Sequence, residues 1–365
     1  MQTIKVELKT NAYPIYTGRR IVDRLREILN KHGAHQQIAV ITQKEIFDLH
    51  GAALMEALPA AKRRITLFVP QGEQAKSLAQ SEKLYSELLK ENFDRRSLII
   101  AFGGGVVGDL AGFVAATYLR GVDLVQVPTT LLAQVDSSIG GKVGVNHPLG
   151  KNLIGAFKQP LFVFSDTALL QTLPEAEIRC GLGEVIKYGF ISNPRLFAYL
   201  EEHLQEALHK EAEVLEELVR ISAAEKAAVV ARDEREANLR MMLNFGHTFG
   251  HALEAEFSFG GLKHGEAVIL GMQCALYYNY RQGAMREEDY RRGMALLRRV
   301  PVAFDRTKIN PAKLVERMVW DKKVHDGRIR LVLTDKIGSW RIARVDDIKR
   351  LQDAFTALTN ESGSK

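Results

Sequence analysis

The chain has 365 residues, 46% apolar and 26% charged, an ordinary globular balance at a length that predicts two domains rather than one core. Its 50 basic and 44 acidic residues give a mild net charge of +6 with the signs mixed along the chain, and no basic stripe or nucleic-acid module accompanies it. Two cysteines without CxxC spacing exclude a disulfide scaffold, the N-terminus carries no signal-peptide pattern, and no apolar run approaches a membrane span, so a cytoplasmic protein without nucleic-acid or membrane partners is expected.

The first 17 residues alternate as a strand does, with Ile4, Val6 and Leu8 on one face. Apolar runs at 38–42, 65–69, 98–102, 124–127 and 161–164 follow, with helical patterns such as 78–89 between them. Strands this apolar, alternating with helices, predict a largely parallel sheet covered on both faces. The segment 136–158, rich in Gly, Lys and Asn, reads as a long polar loop, and long loops inside compact domains point to function. From about residue 176 the pattern turns helical, at 175–200, 205–233, 243–257, 266–280 and 287–299; in the second of these Val214, Leu218 and Ile221 form one apolar row. A hairpin is expected from 328–333 and 340–342, and residues 360–365 are expected to fray. No repeat or long linker interrupts the chain, so the two halves are expected to pack tightly, with a ligand at the seam.

Three segments that follow strands suit a nucleotide. Gly103-x-Gly105-x-x-Gly108 opens a helix, where glycines admit a pyrophosphate and free amides meet it. Gly72-Glu73-Gln74-Ala75-Lys76 offers Glu73 to a ribose and Lys76 to a phosphate, and Thr129-Thr130 offers hydroxyls. Asp123 is at a ribose-acid distance but precedes its strand, which argues against that role. Within the polar loop, Lys142, Lys151 and Asn152 suit carboxylate or phosphate capture.

The helical half carries the ligand types of an open metal site: three histidines and a carboxylate. His247 and His251 stand one turn apart and share a helical face, so spacing favours them, with Glu184 and His264 competing for third place. Lys187 shares a face with Glu184 and would keep it ionised.

Taken together, Gly-Glu-Gln-x-Lys-Ser (72–77), Gly-Gly-Gly-Val-Val-Gly-Asp (103–109), Ala-Thr-Tyr-Leu-Arg-Gly (116–121) and the run 127–142 resemble 3-dehydroquinate synthases. So do Gly-Lys-Asn-Leu-Ile-Gly (150–155), Glu-Val-Ile-Lys-Tyr-Gly (184–189), the run 243–254 and Lys-His-Gly-Glu-Ala-Val (263–268), in order from about residue 70 to 325. The resemblance implies an N-terminal Rossmann-like, mostly parallel α/β domain that binds NAD (1–176), then an all-helical metal- and substrate-binding domain (177–365). It implies a homodimeric lyase of the shikimate pathway with NAD⁺ and Zn²⁺ or Co²⁺. Its substrate is 3-deoxy-D-arabino-heptulosonate 7-phosphate, processed by transient oxidation, phosphate elimination, reduction and aldol closure.

The resemblance places the metal on Glu184, His247 and His264, and turns His251 toward the substrate as a proton shuttle. Lys142, Asn152, Lys187, Lys226, Glu236, Arg240 and Asn244 match substrate contacts, as does Lys322 of the pair Lys322-Lys323. Asp136 matches a residue near the substrate hydroxyls, and Arg120 one that reaches a neighbouring subunit's site. The expected cofactor contacts are Gly72, Glu73, Lys76, Gly104, Gly105, Val106, Val107, Gly108, Asp109, Thr129, Thr130, Lys142 and Lys151. Two departures stand out: Gly183 where alanine is expected in relatives, and Thr42-Gln43 where relatives carry an acidic or amide ribose contact. Two neighbouring activities share these features: a sugar phosphate cyclase of secondary metabolism, and a metal-dependent polyol dehydrogenase. Lys142 and Arg240, suited to a carboxylate that the other cyclase substrates lack, weigh against the first.

Overall fold

Four of the five apolar runs form strands buried on both faces, and the run at 65–69 forms a half-exposed strand at the sheet edge, with Phe68 46% exposed. A computed structural model describes residues 1–9, 11–236, 238–257, 261–323, 329–345 and 347–359; the side chains of 320–323 lie outside this description. Its elements in chain order begin with β1 (Gln2–Val6), β2 (Tyr13–Gly18), α1 (Leu25–Lys31), β3 (Gln37–Thr42), α2 (Lys44–Ala57), β4 (Arg63–Phe68), α3 (Leu78–Lys90), β5 (Leu98–Gly103), α4 (Gly105–Thr117), β6 (Asp123–Pro128), β7 (Lys142–His147), β8 (Gly150–Phe157) and β9 (Phe162–Asp166). They continue with α5 (Glu175–Ile191), α6 (Pro194–Leu208), α7 (Ala212–Arg232), α8 (His247–Glu256), α9 (His264–Arg281), α10 (Glu287–Arg298), α11 (Pro311–Lys323), β10 (Arg330–Leu333), β11 (Arg341–Arg344) and α12 (Ile348–Thr359). None of the described helices is long and apolar enough to cross a membrane.

The chain divides into one unit of Met1–Leu173 with Ala212–Glu234, and a second of Pro174–Glu211 with Arg235–Lys365. The first is built on a seven-stranded sheet in the order β1-β2-β9-β6-β5-β3-β4, antiparallel between β1 and β2 and parallel elsewhere. Alternate residues of β5 enter opposite cores: Ile99 and Ala101 join Leu84, Leu88 and Leu110 of α3 and α4, while Leu98, Ile100 and Phe102 join Leu25, Ile28 and Leu54 of α1 and α2. Val6, Ile15 and Val163 make a third patch, roofed by Ala223, Ala227 and Val230 of α7. Parallel pairing brings the C-terminal ends of β4, β5 and β6 to one edge, where the three nucleotide segments follow their strands.

The second unit is helical, with α9 buried along most of its length and in close company with α5 and α8. At the α5–α9 crossing a Cβ built on Gly265 would lie 1.8 Å from the Cys180 carbonyl oxygen, and one on Gly183 2.5 Å from the Gly265 carbonyl oxygen. Gly183 is thus a close-approach position.

Several expectations are corrected. The segment 136–158 is not a loop: β7 and β8 form a hairpin whose Val143, Val145, Ile154 and Ala156 pack toward α4. Its glycines and lysines disguise an alternation that is present. The expected helix 175–200 is broken at Asn193-Pro194, where the Asn193 side chain caps α6 by accepting from the Leu196 N–H at 2.9 Å. The expected helix 205–233 is likewise divided around Lys210, which has φ 63°. The segment 243–257 starts as a 3₁₀ turn, Leu239–Asn244, and α8 begins only after Gly246 at φ 78°. The unit boundary falls after Leu173, and α7, expected in the helical half, belongs to the first unit. Residues 360–365, expected to fray, lie outside the described residues.

Candidate functional site

In the second unit Glu184 and Lys187, one turn apart on α5, are each about 1% exposed. Lys187 Nζ donates to Glu184 Oε2, which leaves Oε1 buried and without a hydrogen-bond partner. Toward that oxygen point His247 Nε2 at 3.4 Å, from the first residue of α8, and His264 Nε2 at 3.6 Å, from the first residue of α9. The Nδ1 atoms are engaged behind them. His247 Nδ1 lies 3.2 Å from the Phe245 carbonyl, and His264 Nδ1 lies 3.1 Å from Glu254 Oε2. A carbonyl only accepts, so the His247 proton sits on Nδ1 and the Nε2 lone pair faces inward. A buried carboxylate oxygen left without a donor, facing such a lone pair and a second imidazole, is a set that a divalent cation satisfies. Ligand atoms of Glu184, His247 and His264 all fall within 4.8 Å of one another, the one such cluster among the described residues.

The electrostatics agree for two of the three. Burial works to raise the Glu184 pKa, but the Lys187 ammonium and the two imidazoles outweigh it and hold the carboxyl well below its usual range. Burial, helped by Lys187, pushes His247 down to about 3 against the pull of Glu184, so it stays neutral as a ligand must. His264 goes the other way: burial lowers it, but Glu184 and Glu254 together raise it to about 10. A bound cation would take the place of that proton.

The spacing-based pair is corrected. His251 is exposed, its ring 5.5 Å from that of His247 and 6.0 Å from that of His264, and Glu184 and His264 rather than His251 complete the cluster with His247. One helical face reports neighbours on that helix and nothing of α5 or α9. Glu254, which sets the His264 ring, went unassigned although it closes the same 243–254 motif. Arg240, 2% exposed, and Asn244 share the 3₁₀ turn before α8, and Glu236 precedes it with φ 60°. Lys322 lies on α11, with its side chain outside the described residues.

In the first unit Gly104 caps α4 and Gly105 opens it. A Cβ on Gly104 would stand 2.9 Å from Thr130 Cγ2 and one on Gly105 3.0 Å from Ser137 Oγ, so glycine is what lets this turn meet the segment after β6. The Thr129 N–H donates to the Gly103 carbonyl at 3.0 Å, fixing the two turns side by side. Val106 and Val107 follow in the first turn of α4, with Val107 fully buried, and Gly108 takes the Gln126 side chain against its carbonyl at 3.1 Å. Gly72, at φ 86°, turns the chain into Glu73. Lys76, only 4% exposed, donates to Asp109 Oδ2 at 2.7 Å and to Asn152 Oδ1. Burial opposes its charge, yet Asp109 and Glu73 raise the pKa. Lys142 and Lys151 stand exposed on β7 and β8. Asp123 is paired with His35 Nε2 at 2.9 Å, at the opposite end of β6 from Thr129 and Thr130.

A π-helical turn, Ala133–Ser137, presents Asp136 to Lys226 of α7 at 2.6 Å. Buried Gln134 fixes that turn, its Nε2 donating to the carbonyls of Pro128 at 3.1 Å and Asp166 at 3.0 Å, the last residues of β6 and β9. Sequence reasoning missed Gln134, since a buried amide gives no periodic signal. Leu119 (φ 47°), Arg120 (φ 71°) and Gly121 (φ 118°) form three successive left-handed residues that expose Arg120. Two of them are not glycine, a costly conformation that clusters at functional positions.

Family models of the 3-dehydroquinate synthase N-terminal and C-terminal regions match residues 66–180 and 181–324. A 3-dehydroquinate synthase of Pseudomonas aeruginosa (strain UCBPP-PA14) is 46% identical over the whole of both chains. That of Pseudomonas entomophila (strain L48) is 45% identical over 93% of this chain and 92% of its own. Among solved structures, a 2-deoxy-scyllo-inosose synthase complexed with carbaglucose-6-phosphate, NAD⁺ and Co²⁺ aligns with TM-score 0.87 at 24% identity, over 97% of this chain and 99% of that one. ValA, a 2-epi-5-epi-valiolone synthase from Streptomyces hygroscopicus with NAD⁺ and Zn²⁺ bound, gives the same score, identity and coverage. A glycerol dehydrogenase from Schizosaccharomyces pombe aligns at TM-score 0.66 and 17% identity, over 94% of this chain and 88% of that one.

Proposed function

This chain belongs to the 3-dehydroquinate synthase family, and from that premise we infer that it converts 3-deoxy-D-arabino-heptulosonate 7-phosphate to 3-dehydroquinate and phosphate. The observation that carries the chemistry is the buried, donorless Glu184 Oε1 facing two imidazole nitrogens. When bound, NAD⁺ supplies a transient hydride acceptor and a divalent cation supplies Lewis-acid polarisation of a vicinal diol.

The residues of the chain do the remaining work. Glu184, His247 and His264 hold the cation, Lys187 keeps Glu184 ionised through Oε2, and Glu254 holds the His264 ring. His251, exposed beside them, moves the hydroxyl proton. Arg240 forks onto the substrate carboxylate with Lys142, and Asn152, Lys187, Lys322 and Arg120 take the phosphate. Asp136, held by Lys226, orients hydroxyls, with Glu236 and Asn244 as further contacts. The turns at 72–76, 104–109 and 129–130, with Lys142 and Lys151, cradle the nucleotide. Two buried thiols, Cys180 and Cys274, suit a reducing cytoplasm.

The test is phosphate release with three sugar phosphates. Release with the carboxylated seven-carbon substrate, with no net absorbance at the NADH wavelength, is the expected result. Release only with sedoheptulose 7-phosphate or glucose 6-phosphate would point to the other cyclases, and accumulating NADH to a polyol dehydrogenase.

A homodimer in which Arg120 serves the neighbouring subunit's site makes a separate prediction. Two inactive variants, Arg120→Ala and Lys142→Ala, mixed and reassociated in equal amounts, should regain activity in about a quarter of the sites, since half the dimers are mixed and each has one complete site. No recovery after subunit exchange would place Arg120 in its own subunit's site or outside catalysis.

A further inference from the structure

The hairpin β7–β8 is irregular at its functional end. Val145 pairs with Ile154 but His147 with Gly150, so Asn146 alone faces residues 151–153. Bulges of this kind re-aim side chains beside active sites. Asn152 lies within it at φ 57°, and its N–H donates to Asn146 Oδ1 at 2.8 Å. The Asn146 Nδ2 donates to Glu73 Oε1 at 2.9 Å, and the Asn146 backbone N–H donates to the Lys76 carbonyl at 2.9 Å. Lys76 closes the ring by donating to Asn152 Oδ1. One carboxamide thus accepts from the hairpin and donates to the turn after β4, a division that neither a carboxylate nor an aliphatic side chain reproduces.

Resting on the cofactor reading above, we propose that Asn146 is a positioning residue that couples the nucleotide turn at 72–76 to the hairpin bearing Lys142, Lys151 and Asn152, so that occupancy of one orders the other. The coupling is reciprocal: NAD⁺ that fixes Glu73 and Lys76 steadies Asn152 through Asn146, and a phosphate on Asn152 tightens the nucleotide turn.

Amide hydrogen exchange on the full chain, with and without saturating NAD⁺, reads this directly. In the unsubstituted protein NAD⁺ should slow exchange across residues 150–157 by about tenfold. Asn146→Ala should still bind NAD⁺ in calorimetry, while the slowing falls below about twofold and KM for the sugar phosphate rises more than kcat falls. Asn146→Asp keeps the acceptor for the Asn152 N–H but sets a carboxylate against Glu73. Without NAD⁺ its Asn152 amide should exchange at the rate of the unsubstituted protein, and it should gain nothing when NAD⁺ is added. A scaffold role alone would not separate these two variants. Equal NAD⁺-dependent slowing in the unsubstituted protein and in Asn146→Ala would overturn the role of Asn146, whereas failure of the unsubstituted protein to bind NAD⁺ would overturn the cofactor reading itself.

Discussion

Alanine in place of His264 is expected to release the cation and lower turnover on the order of 10³-fold, the equivalent of about 4 kcal/mol of charge stabilisation in the transition state. The expectation follows from how the three ligands are held. Glu184 and His247 remain after the substitution, but His264 Nε2, 3.6 Å from Glu184 Oε1, is lost, and two protein ligands do not make a closed grip on a divalent ion. Metal content after dialysis and steady-state turnover should fall together. His251→Ala is the informative partner, because it should keep the metal and lose turnover. Stoichiometric metal with normal turnover in His264→Ala would remove His264 from the ligand set, and loss of metal in His251→Ala would return the spacing-based pair to contention.

Gly265→Ala should be nearly as damaging, although residue 265 makes no contact with substrate in the reading above. Its Cβ would lie 1.8 Å from the Cys180 carbonyl oxygen, and backbone cannot swing aside as a side chain can. Helices α5 and α9 would have to separate, moving Glu184 on one away from His264 on the other. Overpacking of this severity costs about 3 kcal/mol or more. That corresponds to a fall in melting temperature of roughly 10 °C for a unit of this size. A thermal scan paired with a metal titration checks both halves of the claim. A variant that melts within a degree or two of the parent and holds metal as tightly would show slack at the crossing. Gly183→Ala tests the other side of the same contact, where the built Cβ stands 2.5 Å from the Gly265 carbonyl oxygen.

Strands β3, β5, β6 and β9 were legible because each is an almost fully buried apolar run, and burial on both faces leaves that mark in any chain, whereas the half-exposed edge strand β4 was legible from its apolar residues alone. The break at Asn193-Pro194 was written in the chain as well, since proline at the second position both starts a helix and stops the one before it. The hairpin β7–β8 was not legible. Gly144 faces Gly155 across it, and the glycine and lysine content that serves close strand approach and ligand capture is also what a loop contains. The metal set shows the limit of spacing. His247 and His251 share a helix and so share a signal, whereas Glu184 is 63 residues from His247 and joins it only through packing; motif resemblance supplied what periodicity could not. Asn146, Gln134 and Glu254 act through side-chain hydrogen bonds to other elements, which no one-dimensional pattern records.

Helix α7 is a loan from the second half of the chain to the first unit, and the timing of synthesis inherits the debt. A ribosome that has delivered residues 1–173 has delivered every strand of the seven-stranded sheet, yet Val6, Ile15 and Val163 stay wet until Ala223, Ala227 and Val230 emerge. Glu184 leaves the exit tunnel before that roof and His247 after it. The nascent protein therefore finishes its first body when only the opening stretch of the second, Pro174–Glu211, has been translated, and cation capture can come only as a late event, once the returning chain has brought both imidazoles out.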